Sequence, residues 1–110
     1  MYIYIEVTRL KAKHLRQKLN LKTGFFKKEK YILTIDNHTL KIISTTQGNK
    51  KIIEIKTKEI KTVSISKQSP CEIEIRTFDT VYLGTFPIED DISELLILLQ
   101  TLLDERLICY

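Results

Sequence analysis

The sequence predicts a mainly β domain of the α+β or capped-barrel class, with seven or eight short antiparallel strands followed by one helix. Three observations carry this. The chain holds 17 Ile, 12 Thr and 3 Val, most of them before residue 89, and their stiff χ1 torsions suit a pleated surface better than a helix. Over that stretch, short runs of alternating apolar and polar residues are separated by polar breaks of two or three residues, the pattern of half-buried strands joined by tight turns. After residue 89 leucine takes over, at helical spacing.

In chain order, residues 2–8 (YIYIEVT) alternate as a strand, 9–18 read as a basic helical turn or a linker, and 18–26 (KLNLKTGFF) read as a strand ending at Gly24. Residues 31–36 (YILTID) and 39–45 (TLKIIST) flank Asn37-His38, a two-residue hairpin connection in which Asn tolerates positive φ. Gln47-Gly48-Asn49 turns the chain into 51–56 (KIIEIK), and 60–66 (IKTVSIS) follows the polar break 57–59. There Ile60, Val63 and Ile65 break the period of two, which predicts a β-bulge near Lys61-Thr62. Ser69-Pro70 ends that run. Residues 71–77 (CEIEIRT) alternate strictly, and Phe78-Asp79-Thr80 joins them as a hairpin to 81–86 (VYLGTF). Asp91 and Glu94 have the spacing of a capping box. Ile92, Leu95, Leu96, Leu99, Leu102, Leu103 and Leu107 then form one arc of a helix spanning 91–107. Ile97 and Ile108 project opposite that arc, as ordinary exposed apolar residues or as a contact for a partner subunit.

The 110 residues form one small domain, with no apolar run near the ~20 residues that span a bilayer. The first residues lack a basic start and a small-residue cleavage site, so the chain reads as mature, soluble and cytoplasmic. Cys71 and Cys109 are too few for a disulfide framework and lack CxxC spacing. The net charge of +4 conceals a polarity: residues 1–30 hold nine basic and two acidic side chains, 31–70 seven and three, and 71–110 two and nine. Such a chain can present an anion-attracting surface despite its modest total.

Seven strands closed by a C-terminal amphipathic helix is the layout of the pleckstrin-homology-like (PH-like) superfold, and several stretches resemble its bacterial members. Residues 22–36 (KTGFFKKEKYILTID) are similar to the first hairpin running into the second strand. Asn37-His38-Thr39-Leu40 resembles the next turn, Lys58-Glu59-Ile60-Lys61-Thr62-Val63 the entry to strand five, and 71–107 the end of the domain. The resemblance covers about residues 18–107 and lacks the tryptophan usual in the closing helix of eukaryotic members. It implies a seven-stranded barrel or two-sheet sandwich over 18–88, a capping helix over 91–107, and an N-terminal extension over 1–14 contributing the extra strand. It also implies that the loop between strands one and two lies beside that between strands three and four, away from the helix.

On those loops the resemblance gathers Lys22, Lys27, Lys28, Lys30, Lys50 and Lys51. Converging ammonium groups bind a phosphorylated head group or a nucleic-acid backbone through charge-assisted hydrogen bonds, although lysine offers only a point charge where arginine grips phosphate with a fork. Phe25 and Phe26 sit among these lysines, either stacking on a ligand or dividing between core and surface. His14 and His38 lie far apart with no ligand spacing around them, the three glycines are isolated, and no local motif supplies a nucleophile with its base. No catalytic residue, metal, cofactor or small-molecule substrate is therefore expected. The expected function is a non-catalytic module for protein association or self-association. The alternative is recognition of acidic phospholipid or RNA through the lysines.

Overall fold

The protein is described by a computed structural model covering residues 15–22, 28–36, 38–45, 51–68 and 70–110. Within these, eight strands form one sheet: β1 (Arg16–Lys22), β2 (Lys28–Asp36), β3 (Thr39–Ser44), β4 (Ile52–Lys56), β5 (Ile60–Ser66), β6 (Glu72–Thr77), β7 (Val81–Thr85) and β8 (Leu107–Cys109). Helix α1 (Ser93–Leu103) lies between β7 and β8. The order across the sheet is β4-β3-β2-β1-β7-β6-β5-β8. All neighbours are antiparallel except β5 and β8, which run parallel.

Alternation decides which side chains go inside. Leu33 and Ile35 of β2, Leu40 and Ile42 of β3, Val63 and Ile65 of β5, and Ile73 and Ile75 of β6 are essentially inaccessible, and all join one core with Leu95 and Leu99 of α1. An eight-stranded sheet is about 34 Å wide at ~4.8 Å per strand spacing, whereas an eleven-residue helix is only about 16 Å long. The helix cannot cover such a sheet laid flat, yet inward side chains from strands on both sides of the β1–β7 ladder join one core with it. The ladders nonetheless end at β4 and β8, and no hydrogen-bonded pairing among the described residues closes the sheet.

Several expected turns form as read. Asp36 pairs with Thr39 around the two-residue connection. The register of β5 against β6 slips between Ile60 and Thr62, leaving Lys61 as the bulged residue, its ammonium 5.4 Å from the centre of the Phe78 ring. At 78–80 the Thr77 hydroxyl accepts from the Thr80 N–H at 3.1 Å, and the Thr77 N–H donates to the Thr80 carbonyl at 2.9 Å.

Three expectations need correction. The first strand occupies Arg16–Lys22 instead of 18–26, with Gln17 facing inward, buried, its amide donating to the Asp90 carboxylate at 3.0 Å. The helix begins at Ser93, and the capping box does not form. Asp91 instead accepts from the Ser93 N–H at 2.9 Å and from the Ser93 hydroxyl, and these bonds hold its carboxyl below the usual carboxylate range. The helix also stops at Leu103, because Asp104 adopts φ 54°, and the chain passes through a 3₁₀ turn into β8. Leu107 and Ile108 are thus strand residues, and Leu98 joins the buried stripe of α1. The expected strand over 2–8, the turn 47–49, Phe25, Phe26 and His14 lie outside the described residues.

Candidate interaction surfaces

On β1, Leu19 and Leu21 enter the core, which turns Arg16, Lys18, Asn20 and Lys22 to the outer face. On β2, Tyr31, Leu33 and Ile35 are buried, so Lys30, Ile32 and Thr34 point outward. The register sets Lys22 opposite Lys28, Asn20 opposite Lys30, Lys18 opposite Ile32 and Arg16 opposite Thr34. A basic strip therefore runs along the outer face of the β1–β2 hairpin, and among the described residues Arg16, Lys18, Lys22 and Lys30 make no ion pair. A depression of about 400 Å³ beside it is lined by Lys18, Lys30, Thr45, Pro87 and Glu89.

Of the six lysines expected on loops, Lys22, Lys28 and Lys30 are strand residues. Lys51 is exposed immediately before β4, while Lys27 and Lys50 lie outside the described residues. The two hairpin ends do come together. The Thr45 N–H donates to the Lys30 carbonyl at 3.1 Å, and the Ser44 N–H to the Lys51 carbonyl at 2.9 Å, which places Lys30 and Lys51 on either side of β3. Arg16 and Lys18 were not among the expected site residues, although the alternation in RQKLNLK aligns them with Lys22.

The other half of the outer face differs in character. Glu72 and Glu74 of β6 stand opposite Thr85 and Leu83 of β7, and Glu74 pairs with Arg76 at 2.9 Å. A depression of about 280 Å³ lies across this half, with Lys22 at one side and Ser64, Ser66 and Tyr110 at the other.

A second kind of surface lies at the sheet margin. In an antiparallel ladder a residue's N–H and C=O point to the same side, alternating along the strand. The Ser44 N–H bonds the Lys51 carbonyl and the Thr57 N–H bonds the His38 carbonyl, so the odd-numbered residues of β4 face β3. The N–H and C=O groups of Ile52 and Glu54 and the N–H of Lys56 consequently point off the sheet, where no described strand pairs with them, and the Lys56 C=O accepts from the Glu59 N–H in the 3₁₀ turn Thr57–Glu59. The same three residues are exposed. On the outer face Ile52 stands opposite Ile43, and Ile43 opposite Ile32, an apolar row leading in from the open edge.

Ile97 and Ile108, expected to share one helix face, belong to different elements: Ile97 is exposed on α1 and Ile108 lies on β8. Cys71 and Cys109 are free and flank β5 on opposite sides, about two strand spacings or ~10 Å apart, beyond disulfide reach. Burial, with Cys109 and Glu72 nearby, pushes the Cys71 thiol above its ordinary value against the pull of Lys67, so it is a poor source of thiolate. Burial and the bond to Glu29 likewise raise Tyr31. Among the described residues no group of three or more His, Cys, Asp or Glu side chains is placed to hold a metal ion. None of their helices is long and apolar enough to cross a membrane. In comparison with known proteins, no family model matches the chain, and no curated protein matches it.

Proposed function

We propose that this chain is a non-catalytic, cytoplasmic interaction module of PH-like layout whose work is association with protein, through strand addition at the β4 edge. The observation that carries this is the row of backbone groups along Ile52, Glu54 and the Lys56 N–H that no strand among the described residues pairs with, exposed beside Ile43 and Ile32. Main-chain hydrogen bonds supply the attraction in this mode and alternate side chains the specificity. The PH-like reading is supported by the strand order, in which β1 joins β2–β4 to β5–β7, and by the helix that follows β7 and packs into the shared core.

A substitution that blocks the edge without touching the internal ladder tests the reading. The Glu54 N–H points off the sheet, so Glu54→Pro removes a donor the fold does not use, and proline is tolerated at such edge positions. The variant is expected to keep the wild-type melting temperature within about 2 °C. It should lose the protein associations that the wild-type chain makes in pull-downs and light scattering. Associations that survive unchanged sink the reading.

The basic strip favours a second reading, recognition of a polyanion such as an acidic phospholipid surface or RNA. Lys18→Glu, Lys22→Glu and Lys30→Glu together are expected to abolish vesicle flotation or an RNA gel shift at low salt. If the wild-type chain binds neither at low salt, this reading fails.

A further inference from the structure

We infer that the occupant of the β4 edge is a second copy of the same strand, in an antiparallel two-fold pairing centred on Ile55. This rests on the strand-addition reading above and adds its partner and register. Among the described residues of β4, the N–H groups of Ile52, Glu54 and Lys56 and the C=O groups of Ile52 and Glu54 face off the edge, while the Lys56 C=O accepts from the Glu59 N–H in the 3₁₀ turn Thr57–Glu59, so even-numbered residues must pair with even-numbered ones. That leaves few registers. Centring the axis on Glu54 sets carboxylate against carboxylate, and centring it on Lys56 sets ammonium against ammonium. Centring it on Ile53 sets Ile52 against Glu54 of the other copy, and centring it on Ile52 sets Ile52 against itself and leaves Glu54 and Lys56 with no described residue of the other copy opposite them. Centring it on Ile55 sets Glu54 against Lys56 of the other copy twice, with the Lys56 N–H of each copy donating to the Glu54 carbonyl of the other.

Charges on an edge strand ordinarily prevent pairing. Here the two charges on β4 oppose the registers centred on either of them and favour the one where they meet. The surrounding structure agrees. Glu54 and Lys56 are both exposed, and Glu54 has only a long 3.8 Å contact to Lys41, with both side chains well solvated. Because the axis is two-fold, the assembly closes as a dimer and does not propagate into a fibre. The contact is short, so the dimer is weak, with a Kd on the order of 100 µM at low salt.

Charge exchange tests the register by sedimentation equilibrium. Glu54→Lys alone makes both cross-copy pairs Lys–Lys, and Lys56→Glu alone makes both Glu–Glu. Each is expected to weaken the dimer at least about tenfold. Mixing these two single variants should restore association as a heterodimer, and the double variant Glu54→Lys/Lys56→Glu should restore the homodimer. Lys56→Glu leaves the contact to Lys41 alone, so its effect does not come from that neighbour. Amide exchange supplies a second readout: the Lys56 amide should be fast in dilute protein and slow as concentration rises, whereas Ile53 and Ile55 stay protected throughout. A wild-type chain that is monomeric at about 1 mM overturns the inference, as does a dimer indifferent to charge reversal. Glu54 and Lys56 amides already protected at high dilution also overturn it, because the edge is then covered by this chain itself. If the wild type is monomeric but binds another protein that Glu54→Pro releases, the self-pairing falls and the strand-addition reading stands.

Discussion

Gly84→Val is expected to destabilise the protein by about 3 kcal/mol or more, lowering the melting temperature by roughly 12 °C in a domain of this size. Gly84 lies in β7 opposite Leu21 of β1, at the ladder that joins β1–β4 to β5–β8. It is buried and faces inward between the outward-facing Leu83 and Thr85. A Cβ there would lie 2.8 Å from Leu19 Cδ1, 3.0 Å from the Asn20 carbonyl oxygen and 3.2 Å from Leu19 Cγ. Leu19 is fully buried and cannot swing aside, and the backbone of β1 cannot retreat without opening the ladder to β2. Glycine ordinarily weakens a strand, so its place here reflects the close approach of two backbones. Gly84→Ala is expected to cost about 1–2 kcal/mol, because alanine adds only the first carbon of the clash. Thermal and urea melts check the series. A valine variant as stable as the wild type would mean that β1 and β7 do not meet as described.

That seam also decides how the outer surface works. It brings the basic β1–β2 face beside the carboxylates of β6, while the β4 edge proposed for association lies three strands away on the far side of β1. The two proposed readings, edge pairing and polyanion binding, therefore rest on separate residues. Glu54→Pro and the triple lysine reversal should each remove one without the other.

How much was legible beforehand follows from which forces are local. The Asp36–Thr39 hairpin and the bulge at Lys61 were readable because turn chemistry and the period of two lie within a few residues. The start of β1 was not, because Gln17 occupies an inward position and breaks the apolar alternation. What satisfies its amide is Asp90, 73 residues away. Lys22, Lys28 and Lys30 are loop residues only by the resemblance, whereas here β1 runs on through Lys22 and β2 begins at Lys28. The edge was invisible as well. No local pattern tells that β4 has β3 on one side and nothing described on the other, since that depends on where β5 goes.

The end of the helix is the clearest case of a long-range override. Leu102, Leu103 and Leu107 continue the helical arc in sequence, yet Asp104 turns to positive φ and the chain leaves the helix. What stabilises the departure is Arg106. Its guanidinium donates to the Thr57 carbonyl at 2.7 Å and to the Ile60 carbonyl at 2.9 Å, with a longer bond to the Leu103 carbonyl at 3.4 Å. Thr57 and Ile60 bracket the 3₁₀ turn (Thr57–Glu59) by which the chain leaves β4 and enters β5. One half-buried side chain thus ties the end of α1 to the corner where the two halves of the sheet are connected, and delivers Leu107–Cys109 to β5. Hydrogen bonds from a charged donor contribute about 1.5–3 kcal/mol each, and the carbonyls left behind are costly when shielded from water. Arg106→Ala is therefore expected to cost about 2–4 kcal/mol. Arg106→Lys should recover less than half of that, since one ammonium cannot reproduce two fixed N–H directions. The loss has a location as well as a size. With the clasp gone β8 should detach first, so the amides of Ile65 and Tyr110, which lie on the β5–β8 ladder, should exchange faster at temperatures where those of β2 and β3 remain protected. Uniform acceleration across the whole sheet would instead mean that Arg106 acts on global stability alone and that β8 is held by its own pairing.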